Sequence, residues 1–346
     1  MRWKLGGGVA AMAMLGAVTG SATDERGAQR AAWRASYAPP AAIPFPETNP
    51  YSRAKADLGR KLFFDPILSA DRDRACVTCH LPDLAWADGR RRAPTRADSD
   101  MDLRTPSLLN LAWQEGRLGW DGKFRDLESV AFTPISAAGN MGLPVEDAVA
   151  RLSADAAYAA AFAEAYREPG VTKDRIEAAL ATFQRLVVSA PGPFDRWIAG
   201  DEAAIPAAAK RGFDLFNGRA NCAACHGGWA FSDGSFHDIG TAVGTDLGRG
   251  RFVTNSQALR YAFKTPGLRE VAGRGAYMHD GSLATLEAVI DLYDRGGIDR
   301  PSRSPEIRPL NLSADDKADL LAFLRTLTSE PGSAPVLAEP SEPPSR

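Results

Sequence analysis

Two five-residue stretches constrain this chain more than anything else in it: CVTCH (Cys76, Cys79, His80) and CAACH (Cys222, Cys225, His226). They hold all four cysteines of the 346-residue sequence. In C-x-x-C-H, two thiols add to the vinyl groups of a haem and the adjacent histidine reaches the iron as proximal ligand. The spacing serves that chemistry because both thioether bonds and the ligand must fall on one short turn over a single porphyrin edge. A zinc site would need further thiolates or histidines, and only His237 and His279 remain for two sites. A redox C-x-x-C pair needs no following histidine. The sequence therefore predicts two covalently bound haem c groups and leaves no cysteine for a disulfide.

The first 22 residues, MRWKLGGGVAAMAMLGAVTGSA, have two basic residues, an apolar run and then small residues. That pattern predicts a secretory signal peptide over 1–22, cleaved near Ala22, and a periplasmic mature protein. No later stretch approaches the roughly 18 unbroken apolar residues of a membrane span. A net charge of −2 gives no footing for nucleic acid or an anionic membrane, and the run Arg90 to Arg92 reads as a solvated loop.

The chain repeats itself around the two motifs. LGRKLFF (58–64) answers RGFDLFN (211–217), and AWADG (85–89) answers AFSDG (230–234). RTPSLLN (104–110) answers KTPGLRE (264–270), and WDGKFRDLESV (120–130) answers HDGSLATLEAV (279–289). Four matching blocks in one order predict a mainly α fold of two tandem cytochrome c-like domains made by duplication. The expected division is a Pro-rich N-terminal arm at 23–50, domains at 51–200 and 201–328, and a disordered tail at 329–346. Helices are expected over 153–166, over 172–189 with Thr172 as cap, and over 313–328 from a capping box, burying Leu320, Leu321, Phe323 and Leu324. In HDGSLATLEAVIDLY (279–293) the apolar spacing predicts a helix with Ser282 as N-cap.

Aligning Asp121-Gly122 with Asp280-Gly281 and counting on without a gap sets Tyr293 opposite Pro134. If that position faces the haem in both halves, the second iron is offered a phenol oxygen and the first a ring with no donor. Met278, Tyr277 and His237 compete for the second iron; Met101 and Met141 are open possibilities for the first. One saturated and one open haem implies chemistry at the open one.

Taken together, both C-x-x-C-H motifs, GWDG (119–122), FKTPGLR (263–269), YMHDGSLATLE (277–287) and LYDRGG (292–297) resemble the bacterial di-haem cytochrome c peroxidase superfamily, and within it MauG-like proteins. The resemblance runs from about Leu58 to Thr328. It implies that Tyr293, eight residues beyond Thr285, is the sixth ligand where the peroxidases have Met. It further implies that Trp120 carries electrons between the haems and that a partner protein's side chain is oxidised at a distance, with H2O2, or O2 plus electrons, as oxidant. The family's distal pocket supplies a Gln and a Glu for peroxide cleavage; the matching positions here are Val130 and Asn140, with Pro134 matching MauG's distal Pro. Asn140 can hydrogen-bond peroxide but cannot act as a carboxylate base, and Glu128 is the nearest acid in sequence. The family also holds calcium between its domains, but Arg104, Arg274 and Ala276 occupy the matching positions. Two guanidinium groups would repel the ion, so calcium is expected to be absent, with arginine replacing it against haem propionates or carboxylates.

Two other functions fit the same motifs. One is a cytochrome c peroxidase drawing electrons from a small c-type cytochrome or cupredoxin. Against it stands Tyr293, since an anionic oxygen ligand lowers the potential of an electron-accepting haem. The other is a non-catalytic di-haem electron carrier, which predicts two six-coordinate haems inert to peroxide.

Overall fold

The computed structural model describes residues 21–333 apart from 98, 115 and 331, so all but the last two residues of the expected signal peptide and most of the expected tail lie outside the described residues. After α1 (Ser21–Ser36), the first half contains α2 (Arg53–Phe64), α3 (Phe132–Ser136), α4 (Val145–Ala154), α5 (Ala156–Tyr166) and α6 (Lys173–Arg185). The second contains α7 (Pro193–Ile198), α8 (Ala207–Asn217), α9 (Ala223–His226), α10 (Leu286–Arg295) and α11 (Ala314–Arg325). One two-residue antiparallel pair, β1 (Phe236–His237) with β2 (Phe263–Lys264), sits in the second half with Phe236 opposite Lys264. No described helix is long and apolar enough to cross a membrane.

The helix ends follow the expected chemistry. The Thr172 hydroxyl accepts the Arg175 N–H, and Ser313 forms a reciprocal capping box with Asp316. Two starts differ from expectation. Asp155 caps α5, so the stretch 153–166 divides between α4 and α5. Helix α10 begins at Leu286 under Thr285, not under Ser282, because Asp280-Gly281 makes a turn closed by a Tyr277–Leu283 bridge.

Each half is held by an early helix crossing its last, α2 over α6 and α8 over α11. Gly59 and Gly212 stand at equivalent points of these crossings. A Cβ at Gly59 would overlap the Ala179 carbonyl oxygen, and one at Gly212 the Asp319 carbonyl oxygen, so only glycine admits the approach. Leu62, Phe63, Ile135 and Phe162 anchor the first core; Phe194, Trp197, Phe213, Phe231 and Phe323 anchor the second. The second core is built of edge-on aromatic pairs such as Phe213–Phe323 at 5.6 Å, each contributing about 0.5–1.5 kcal/mol beyond its buried area.

The segment 23–50 is more than a Pro-rich arm. Residues up to Ser36 are helical, and residues 33–37 dock on the distant second half, while Asn49 bonds the first. Trp33 stands edge-on to Phe213, Arg34 pairs with Glu202, and Tyr37, 1% exposed, lies among Phe194, Phe213 and Phe231 with its hydroxyl on Asn217.

Where the halves meet, each grips the other by the same main-chain bond. The Arg104 N–H donates to the His279 carbonyl at 2.8 Å, and the Lys264 N–H to the Trp120 carbonyl at 2.8 Å. Arg104 and Lys264 open the RTP and KTP blocks, while Trp120 and His279 open the WDG and HDG blocks. The repeat thus places Trp120 at the junction.

Candidate active site

Both C-x-x-C-H motifs fold as one tight turn. His80 N–H reaches back to the Cys76 carbonyl at 3.1 Å, and His226 N–H to the Cys222 carbonyl at 2.9 Å. None of the four cysteines is paired in a disulfide. Burial pushes the Cys76 and Cys222 thiols up to about 12, the opposite of the depressed value that a thiolate-based redox pair needs.

The imidazoles are set by backbone carbonyls. His80 Nδ1 lies 3.0 Å from the Trp86 carbonyl and His226 Nδ1 lies 2.9 Å from that of Phe231. A carbonyl only accepts, so Nδ1 carries the proton and Nε2 keeps its lone pair. Burial lowers both imidazole pKa values, which holds the rings neutral for a metal. These orienting carbonyls escape sequence reasoning, although AWADG and AFSDG mark their place. Trp86 and Phe231 are both left-handed, at φ 56° and 54°, and that conformation turns their carbonyls onto the rings.

One continuous, largely apolar cavity is lined by both motifs. Into it the structure brings Trp120, Pro134, Asn140 and Tyr293, together with Val130, Met141, His237, Tyr277, Met278, Arg104 and Arg274. Pro134 lies in α3, and Tyr293 shares the cavity-facing side of α10 with Leu286, Val289 and Ile290. The Tyr293 hydroxyl makes no hydrogen bond to a described residue, and burial raises its pKa. The rival donors are engaged elsewhere: Tyr277 donates to the Val271 carbonyl at 3.1 Å, and His237 Nε2 meets Asp233 at 2.7 Å. Met278 lines the cavity from a left-handed position, φ 71°, in the turn before the helix. Met101 does not line the cavity; Met141 belongs to the first core.

Trp120 donates through Nε1 to the Arg104 carbonyl at 2.9 Å. The Asn140 side chain makes no hydrogen bond to a described residue. Glu128 is not a cavity residue. Arg185 grips its carboxylate through both nitrogens, at 2.7 and 3.0 Å, and Asn49 adds a bond at 2.8 Å. Burial works to raise its pKa, but those hydrogen bonds outweigh it and hold the group below the ordinary range. A carboxylate so committed is a poor proton carrier, and the reason lies in Asn49 and Arg185, far away in sequence. Gln114 and Gln184 also line the cavity, and the sequence reading missed them. Gln184 stands five residues beyond Ala179, where the equivalent count from Asp319 gives Leu324. The signal appears only once the two helix crossings are matched.

Two cysteine pairs outside any disulfide, two Nε2 lone pairs and a phenol with no described hydrogen bond, all facing one apolar cavity, fit haem c. Comparison with known proteins agrees. Residues 53–203 match the model of the family described as di-haem cytochrome c peroxidase, and residues 209–328 that of cytochrome c. The methylamine utilization protein MauG of Methylorubrum extorquens is 48% identical over 94% of this chain and 92% of its own. The chain belongs to the di-haem cytochrome c peroxidase family, on its MauG-like branch. As a member of that family it is a haem-dependent oxidoreductase. The cytochrome c551 peroxidase of Nitrosomonas europaea is 30% identical over 87% of each chain. The crystal structure of a MauG-like protein associated with microbial copper homeostasis matches with TM-score 0.77 and 33% identity, covering 85% of this chain and 94% of that one.

Proposed function

We propose that this MauG-like protein is exported to the periplasm, carries two covalently bound haem c groups and uses H2O2, or O2 plus electrons, to oxidise a partner protein by long-range electron transfer. The observation that carries this reading is the asymmetry of one shared cavity, with Pro134 on the first half where the second has Tyr293. Haem c, when bound, supplies the redox-active iron. The chain's own groups decide what each site does. His80 and His226 present Nε2 as proximal ligands, fixed by the Trp86 and Phe231 carbonyls. Tyr293 closes the second site with an oxygen ligand. Pro134 offers no donor and leaves the first site open, and Asn140 is placed to orient peroxide by hydrogen bonding. Cleaving one H2O2 to two waters takes two electrons and two protons. Asn140 cannot donate those protons as an acid, so water must deliver both. Trp120, hydrogen-bonded into both halves, is the electron path between the sites.

The partner is read from relatives. Two methylamine utilization proteins are 48% and 45% identical to this chain, against 33% for the copper-homeostasis protein, which favours a partner protein serving methylamine utilization. The test is spectroscopic. The ferric holoprotein should show one high-spin and one low-spin haem, and peroxide should change the spectrum of both. Two low-spin haems inert to peroxide would sink the reading.

A further inference from the structure

Arg104 and Arg274 are 5% and 7% exposed, and both line the cavity between the halves. Neither forms an ion pair with a described carboxylate. Arg104 donates to the Arg274 carbonyl at 2.6 Å, and Arg274 donates to the carbonyls of Gly267, at 2.7 Å, and Arg269. These partners are neutral dipoles. The Nε of each arginine is buried with no partner. The carboxylates that feel these charges are occupied: Asp88 by Thr105 Oγ1 and the Arg90 N–H, and Glu270 by the Ser329 N–H. Tyr277 has spent its proton on Val271.

Elsewhere the fold pairs a buried guanidinium. Arg269, 1% exposed, has Asp195 at 2.6 Å. Burying one unpaired cation is costly, and burying two side by side is costlier because they repel. Burial, and then Arg104, push the Arg274 guanidinium down to about 10, still protonated at neutral pH. Two such charges at one cavity wall favour an anion from outside the polypeptide. The group that the C-x-x-C-H motifs bind carries propionates, planar carboxylates that match a guanidinium fork.

We propose that Arg104 and Arg274 form a carboxylate-binding site that grips haem propionates at the junction of the halves and excludes a divalent cation from that place. The site rests on the reading that both motifs carry haem c, but not on peroxide chemistry. Arg104 also donates its backbone N–H to His279, so the same residue joins the halves through the main chain and the haem through its side chain. Removing a positive charge next to a haem favours the oxidised iron.

The experiment is a spectroelectrochemical titration of the holoprotein and its Arg104→Gln, Arg274→Gln and double variants, with metal analysis of the wild type. Each Gln variant should shift at least one midpoint potential downward, the double variant further, while Arg104→Lys and Arg274→Lys stay closer to wild type. The Gln variants should also gain a pH-dependent midpoint, as propionates freed from arginine take up protons. The wild type should hold far less than one calcium per chain and keep its spectrum in chelator. Unchanged midpoints in a double variant that retains both haems would overturn the proposal. So would one tightly bound calcium per wild-type chain, a result that needs no variant to fold. Spin state and peroxide reactivity are read separately, so failure here and failure of the enzymatic reading are distinguishable.

Discussion

The two halves of this molecule share a backbone and differ in what they point at the cavity. Trp86 and Phe231 adopt the same left-handed conformation to aim the same carbonyl at the same imidazole nitrogen. Asn110 and Glu270 repeat the pattern at φ 62° and 60°, and Gly59 and Gly212 admit the same helix crossing. Against that constancy stand Pro134 opposite Tyr293, Trp120 opposite His279, and Gln184 opposite Leu324. Duplication preserved the device that orients the histidine of each C-x-x-C-H motif and released the positions on the cavity wall. Chemistry is therefore assigned to side chains at a few matched positions and not to the architecture of either half.

The most direct way to break the comparison is to erase its main difference. Pro134→Tyr should give the first half the ligand of the second: the high-spin ferric signal should vanish and the reaction with peroxide with it. A variant that stays high-spin and reactive would mean that position 134 does not face the iron. The converse, Tyr293→Phe, should abolish the low-spin signature of the His226 haem or replace it with that of another ligand, read by EPR. An unchanged spectrum would return Tyr293 to the core.

Smaller effects probe what the halves have in common. Gly59→Ala and Gly212→Ala should each destabilise the holoprotein by about 1–3 kcal/mol through overpacking at the helix crossing, measured by thermal or denaturant unfolding. Strongly unequal losses would show that the crossings are not equivalent. Glu128→Gln should cost about 1–3 kcal/mol of stability near neutral pH without slowing the peroxide reaction. Its folded pKa lies below the unfolded one, so the stability it contributes is present above the unfolded value of roughly 4.3 and is lost as pH falls through the folded value. The acid limb of stability should flatten in the variant. A large rate loss would make Glu128 catalytic after all. Asn140→Val should be mildest, slowing peroxide reaction roughly fivefold to tenfold, the worth of about 1 kcal/mol from one neutral hydrogen bond.

The sequence made the two C-x-x-C-H motifs and the repeat legible because both are written in residue identity at fixed spacing. Cys76 to His80 need nothing distant to be recognised, and the caps Thr172 and Ser313 act within one helical turn. What stayed hidden depends on partners far along the chain. Glu128 looks available until Arg185 folds back onto it, and α1 has no visible purpose until Trp33 and Tyr37 meet Phe213. The carbonyls behind His80 and His226 stayed hidden for another reason, since main-chain groups carry no letter. Arg104 and Arg274 could be placed at the junction by matching motifs, but only the structure shows that they lack a counter-charge there.

The bonds from Arg104 to His279 and from Lys264 to Trp120 repeat each other with the halves exchanged, as contacts do where two identical subunits meet face to face. In such a pair every mutation appears twice, so a proline that opens one site opens both. Carrying the two copies on a single chain lifts that constraint while leaving the symmetric junction intact. Inheritance of each copy then becomes independent, and two once-interchangeable positions can become a Pro134 and a Tyr293 that no homodimer could hold at the same time.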